Sequence, residues 1–252
     1  MYLFDLGKLP GQQSMLIFHA LARMGAEGLV IVSPQSPLAS IGYFQDTEKE
    51  IDLDFCHRAN IPVMCREVGG GTTYLDKNQI FYQVIWKRVN PKLPKGMKSI
   101  FRDLSQPACE TYREFGIDAS FRPENDIITG NDKKIAGEGG GDIGDCMAFV
   151  GGIIMDFDYN TMSKVIKVPD EKFRDKVFKT MKENVTTMKR ELGQIPPRRE
   201  IIKVLVGTFE KQLGKLERAR LDHTTIDKMM ELERWMTSDS FLFKKPQGFP
   251  RV

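Results

Sequence analysis

Three consecutive glycines, Gly69, Gly70 and Gly71, interrupt an apolar-polar alternation in the stretch "CREVGGGTTYLD", Cys65 to Asp76. A triplet without side chains between two strand patterns has few uses. It makes a tight turn or a bulge, or it lets a bound molecule lie directly against main-chain N–H groups. The segment matches neither GxxxxGK[ST] nor GxGxxG, so a nucleotide site here is not of those two types. Arg66 stands just before the glycines and Asp76 just after them.

A second glycine-rich stretch, "PENDIITGNDKKIAGEGGGDIGD" (123–145), narrows the choice. "DIITGNDKKIAG" reads as a hairpin with Gly130, Asn131 and Asp132 at its turn. The pair Asn125-Asp126 enters it, Lys133-Lys134 leaves the turn, and a glycine-rich loop is expected over 137–145. A lysine on a rigid strand beside bare backbone suits a phosphate or acyl phosphate, because its ammonium can neutralise developing charge. The same two lysines also suit a solvated hairpin edge. Glu138, Asp142 and Asp145 are expected to place negative charge close to any phosphate bound by that loop.

Periodicity fills in the rest. "SMLIFHALARM" (14–24) has helical spacing, with Ser14 as its expected N-cap. "GLVIVSP", "LASIGYF" and "IPVMCREV" read as strands. "TTYLDKNQIFYQVIW" reads as two strands or one bent strand, and "CMAFVGGIIMDFD" as a buried strand. "EIDLDFCHRAN" reads as a short helix, and Pro107 is expected to kink or restart a helix over "IFRDLSQPACETYREFG". After Tyr159 the segments are helical. The expectation is one α+β domain over 1–252, sheet-rich to about residue 160 and helical from about 161 onward.

A net charge of +3 lacks the strong bias of a nucleic-acid binder. No apolar run approaches the length of a membrane span, and no secretory leader is visible. The four cysteines (Cys56, Cys65, Cys109 and Cys146) form no CxxC pair, which points to a reducing, cytoplasmic setting. By position Cys146 is a candidate nucleophile. Free cysteines are also commonly buried and inert.

Taken together, "REVGGGTTYLD", the Asn125-Asp126 pair, "KKIAG" and "GGIIMDFD" resemble the lipoate–protein ligase family, within the biotin and lipoate ligase group. The similarity runs from about Ser14 to Lys176. It implies a mixed, largely antiparallel sheet with flanking helices, related to the class II aminoacyl-tRNA synthetase catalytic domain. It implies a reaction in which lipoate or octanoate attacks the α-phosphate of MgATP, after which the acyl-adenylate yields its acyl group to a lysine of a small acceptor domain. By the same resemblance Arg66, Gly69, Gly70, Gly71, Tyr74 and Asp76 line the acyl-adenylate pocket. Asn125 and Asp126 lie beside the nucleotide, with Asp126 the candidate Mg2+ ligand. Lys134 activates the acyl-adenylate, with Lys133 and Gly137 adjoining it. The implied acceptors are domains of 2-oxoacid dehydrogenases or the glycine cleavage carrier protein, and the accessory domain of archaeal-type ligases is a separate polypeptide. Leu75 and Val150 stand where the family usually has histidines. Those departures keep two alternatives open: a non-catalytic, partner-binding member, and a cysteine-dependent octanoyl transferase.

Overall fold

The structure, a computed structural model, describes residues 1–244. In chain order the elements are β1 (Tyr2–Leu9), α1 (Gly11–Arg23), β2 (Gly28–Pro34), β3 (Leu38–Ile41), α2 (Thr47–Glu50) and α3 (Leu53–Arg58). There follow β4 (Val63–Cys65), β5 (Thr73–Leu75), β6 (Gln79–Lys87), α4 (Met97–Leu104), α5 (Gln106–Glu114), β7 (Ala119–Arg122), β8 (Asp126–Thr129), β9 (Lys134–Gly137), β10 (Gly139–Ile143) and β11 (Cys146–Ile154). The chain ends in α6 (Tyr159–Val165), α7 (Glu171–Asn184), α8 (Met188–Leu192), α9 (Arg198–Leu213), β12 (Glu217–Arg218), α10 (His223–Met236) and α11 (Asp239–Leu242). Residues 245–252, the end of the expected helical part, lie outside the described residues.

The main sheet has the order β10-β11-β6-β2-β1-β12. The pairs β10–β11, β11–β6 and β6–β2 are antiparallel, while β1 runs parallel to both β2 and β12. The fold is therefore α+β with a mixed, largely antiparallel sheet, as expected. Two small sheets flank it, β4-β3-β5 and β7-β8-β9. Strand alternation separates two cores across the main sheet. On one face Phe81 and Ile85 of β6 pack with Phe18 and Leu21 of α1 and with Met229, Leu232 and Met236 of α10. On the other, Ile80, Tyr82 and Val84 pack with Tyr112 of α5 and Leu205 and Phe209 of α9.

Several sequence expectations need correction. Helix α1 begins at Gly11 after Pro10, so Ser14 is not its N-cap; the Ser14 hydroxyl donates back to the Gly11 carbonyl at 2.6 Å. Strands β1 and the two-residue β12 are additions to the sequence expectation, and β1 has no regular alternation of buried and exposed residues to announce it. The 50–60 segment opens on Glu50, the last residue of α2, and its own short helix, α3, begins only at Leu53, because Ile51 between them bridges Ile166. Residues 139–143 form a strand rather than part of a loop, since β11 supplies a complete antiparallel partner for them. The hairpin is present with its turn where expected, and Asp132 takes a left-handed φ of 59° there. The helix before Pro107 stops and restarts at Ser105.

Candidate active site

A cavity of about 270 Å³ opens between the α1 face of the main sheet, the glycine triplet and the β8–β9 hairpin. Of the candidate residues, Arg66, Gly70, Gly71, Tyr74, Asn125, Lys134 and Gly137 line it. Gly69, Asp76, Asp126 and Lys133 are not among its lining residues. The rest of the wall is mostly apolar, including Met15, Phe81, Val150, Phe157, Met162 and Met181.

Arg66 holds the triplet in shape. Its guanidinium donates to the Ser40 hydroxyl (3.2 Å), the Gly69 carbonyl (3.3 Å) and the Gly71 carbonyl (2.7 Å). Burial without a carboxylate partner among these contacts pushes its pKa down to about 10. Gly70 lies at φ +109°, where side chains are strained, and a Cβ there would sit 2.7 Å from an Arg66 nitrogen. The Gly69 amide donates to the Gly140 carbonyl at 3.3 Å, which ties the loop to β10. His19 supports the loop from behind: its Nδ1 contacts the Met15 carbonyl at 2.9 Å and its Nε2 accepts from the Glu67 amide at 3.0 Å. That pair of bonds fits only the neutral ring, and burial lowers its pKa to about 3.

Facing the glycines, the Lys134 ammonium pairs with Asp126 at 2.6 Å. Its chain end folds back over Gly137, where an added Cβ would come within 3.0 Å of both Cε and Nζ. Asp126 also accepts from Arg122 at 3.0 Å, so both of its oxygens are taken by cations. Among the described residues no three His, Cys, Asp or Glu side chains converge as a metal site. The residues present therefore do not form a protein-only Mg2+ site. An ion arriving on triphosphate oxygens takes only one or two carboxylates from a protein.

The expected acidic loop behaves differently from its sequence. Asp142 pairs with Arg88, near the far end of β10. Glu138 is 4% exposed and its carboxylate turns into the opposite core, accepting from the Tyr82 hydroxyl (2.6 Å) and the Ser105 hydroxyl. Burial raises its pKa to about 7. Asp76 bonds to Asn78 and closes the β5–β6 turn. Sequence reasoning missed Gln79 and Gln83 on the cavity wall, although the period of two along β6 places them there with Phe81. All four cysteines are buried and free, and none lines the cavity. Cys146 starts β11, four residues before Val150, where that strand first meets the cavity, and burial pushes its thiol pKa up.

Known proteins fit this arrangement. The lipoyl protein ligase A/B catalytic domain family matches residues 14–210. Lipoate-protein ligase A subunit 1 of Thermoplasma acidophilum is 32% identical over 157 residues, covering 59% of this chain and 58% of that protein. The octanoyltransferase LipM of Halalkalibacterium halodurans is 25% identical over 96% of this chain and 98% of its own length. A solved bi-partite lipoate protein ligase from the archaeal lipoylation system of T. acidophilum, described with its E2 lipoyl domain, superposes with a TM-score of 0.86. It is 24% identical, covering 98% of this chain and 97% of that one. This chain belongs to the lipoyl protein ligase A/B catalytic domain family, a family of enzymes that handle lipoyl and octanoyl groups.

Proposed function

We propose that this chain activates lipoate or octanoate with MgATP and passes the acyl group to a lysine of a lipoyl-type acceptor domain. The observation that carries this is the Lys134 ammonium on the cavity wall, folded over Gly137 opposite the glycine triplet. In the first step a carboxylate oxygen attacks the α-phosphorus and pyrophosphate leaves. In the second the acceptor amine attacks the acyl carbon and AMP leaves. The cation suits both steps, because negative charge grows on phosphate and then on the acyl oxygen beside it. Lys134 leaves Asp126 for the phosphate when substrate is bound. The apolar wall from Met15 to Met162 suits an alkyl chain.

The second reading is an octanoyl transferase working through a cysteine thioester, favoured by the near-complete overlap with LipM. Its difficulty is that no thiol lines the cavity. The non-catalytic alternative rests on Leu75 and Val150 at the family's histidine positions and on acidic residues near the phosphate loop, and only the second ground is weakened here. Glu138 faces away, and Asp142 is neutralised by Arg88.

Calorimetric titration with a non-hydrolysable lipoyl-adenylate analogue tests the proposal. Lys134→Ala is expected to weaken binding about tenfold or more, roughly 1.4 kcal/mol, and to abolish acyl transfer with an unchanged circular dichroism spectrum. Transfer retained in Lys134→Ala would sink the proposal. Because the T. acidophilum relative is one subunit of a bi-partite ligase, we also propose a separate accessory polypeptide for adenylate formation. Full ligation by the purified chain alone would remove it. The buried, free thiols suit the cytoplasm as the proposed setting.

A further inference from the structure

The basic charge of this chain is not spread evenly. From α6 through α8, residues 159–192, nine Lys and Arg stand against five Asp and Glu, a surplus of four, whereas the whole chain has a surplus of three. Half of that local surplus sits on α7, a 14-residue helix that buries no side chain. Its half-buried stripe is Arg174, Val177, Phe178 and Met181. Helical spacing puts Lys172, Lys176 and Lys179 on the opposite ridge, with Lys182 on its flank. Asp175 and Glu183 share that surface, yet among the described residues the ion pairs of α7 all belong to Arg174, with Asp52 and Glu171. Like charges three and four residues apart weaken a helix, so this ridge adds nothing to the stability of α7.

The same helix stands at the cavity. Met181 and the C-cap residue Val185 line the wall. Val185 bridges Lys134, and the Thr186 amide donates to the Lys134 carbonyl at 2.8 Å. An acceptor lysine that reaches an acyl carbon held by Lys134 therefore brings its own domain surface against the end of α7. From that end the helix runs back about 21 Å, within the span of one side of a standard interface of roughly 800 Å². Lys172, Lys176 and Lys179 do not line the cavity, and they lie on the side of the helix away from Met181. Their charge is presented to a partner in solvent rather than to the cavity. Cations at such a rim draw in a partner whose facing surface is acidic and repel a basic one.

We propose that the outer ridge of α7, Lys172, Lys176 and Lys179, docks the acceptor domain, and that the acceptor carries an acidic face beside its target lysine. This inference rests on the acyl-transfer reading above. The test supplies synthetic lipoyl-adenylate to the purified chain, which bypasses any accessory polypeptide, and follows the mass gain of an acidic apo lipoyl domain of a 2-oxoacid dehydrogenase. Lys176→Glu combined with Lys179→Glu is expected to raise the acceptor KM about tenfold at low salt. Its kcat and its affinity for the non-hydrolysable adenylate analogue should stay within about twofold of wild type. The difference should close in roughly 0.5 M NaCl, where exposed charges are screened. Lys176→Gln with Lys179→Gln, which removes charge without reversing it, is expected to give a smaller rise and serves if the reversed chain fails to fold. Reversing Lys203 and Lys215, on and just after α9 at the opposite core, should leave the KM unchanged. An unchanged KM in the α7 variants, or an equal rise in the α9 variant, overturns the inference and leaves the acyl site standing. So does a loss of analogue affinity that matches the rise in KM, which would assign the lysines to the nucleotide. Folded wild type that binds the analogue without modifying the acidic domain also overturns the docking inference alone. Wild type that neither binds the analogue nor transfers an acyl group overturns both readings.

Discussion

At the scale of single residues, the candidate site depends on how one ammonium is held. Lys134 is shaped by Asp126, which pairs with it, and by Gly137, which leaves space for its chain end. Gly137 has an ordinary φ, so an added methyl there meets only the flexible tip of Lys134. Gly137→Ala is therefore expected to keep the fold, with stability within about 1 kcal/mol of wild type, and to displace the ammonium. Acyl transfer should fall tenfold or more while the thermal midpoint barely moves; normal transfer would show that the folded-back position of Lys134 is unimportant. In the sequence a lysine beside glycines suits a phosphate and equally a solvated hairpin edge, and it is the family resemblance that singles out Lys134. The sequence could not reveal the space over Gly137, which depends on where a neighbouring side chain folds. Nor could it reveal that Arg66, expected to line the pocket, also gives three hydrogen bonds to Ser40, Gly69 and Gly71.

At the scale of elements, the glycine triplet and β10 act as a unit. Gly42, just past β3, sits under the loop: a Cβ there would lie 1.9 Å from the Gly70 carbonyl oxygen. That contact is with backbone and cannot be relieved by a rotamer. Gly42→Ala is expected to push the triplet out of place and to cost about 2 kcal/mol or more, measured by urea denaturation. It should also weaken adenylate-analogue binding, whereas Gly71→Ala, which meets open space, should fold normally. A Gly42→Ala chain as stable as wild type would mean that the loop has slack. The hairpin of β8 and β9 was legible because its turn chemistry is local. Strand β10 was not, because "GGGDI" has poor strand propensity and its ladder comes from β11. Likewise β12 owes its two residues of pairing to β1 and carries no signal of its own.

At the scale of the whole molecule, two buried titrating groups set opposing trends of stability with pH. His19 is neutral in the folded state down to about pH 3 but gains a proton at about 6.5 when unfolded, so acidification below 6.5 destabilises the fold. Glu138 takes up its proton at about 7 when folded and at about 4.5 when unfolded, so stability rises as pH falls from 7 to 4.5. Between 4.5 and 6.5 the two slopes offset each other. Glu138→Gln removes the second trend. Its stability relative to wild type is expected to fall by about 1.4 kcal/mol for each pH unit between 7 and 4.5, read from urea midpoints at several pH values. Parallel curves for the two proteins would show that Glu138 is not the titrating group. Neither trend could be read from the sequence, where Glu138 looked like one more charge in a polar loop; it is buried at the junction of β9 and β10, where the Tyr82 and Ser105 hydroxyls hold its carboxylate. The α+β class was legible because long apolar strands and amphipathic helices announce themselves. The closure of the sheet was not. Tyr2 and Leu3 of β1 pair with Glu217 and Arg218, roughly two hundred residues later. During synthesis, then, the Tyr2–Leu3 end of β1 waits as an open edge until nearly all of the described chain has left the ribosome. Asp5 and Lys8 on that strand are the kind of charges that keep a waiting edge from pairing with a neighbouring nascent chain.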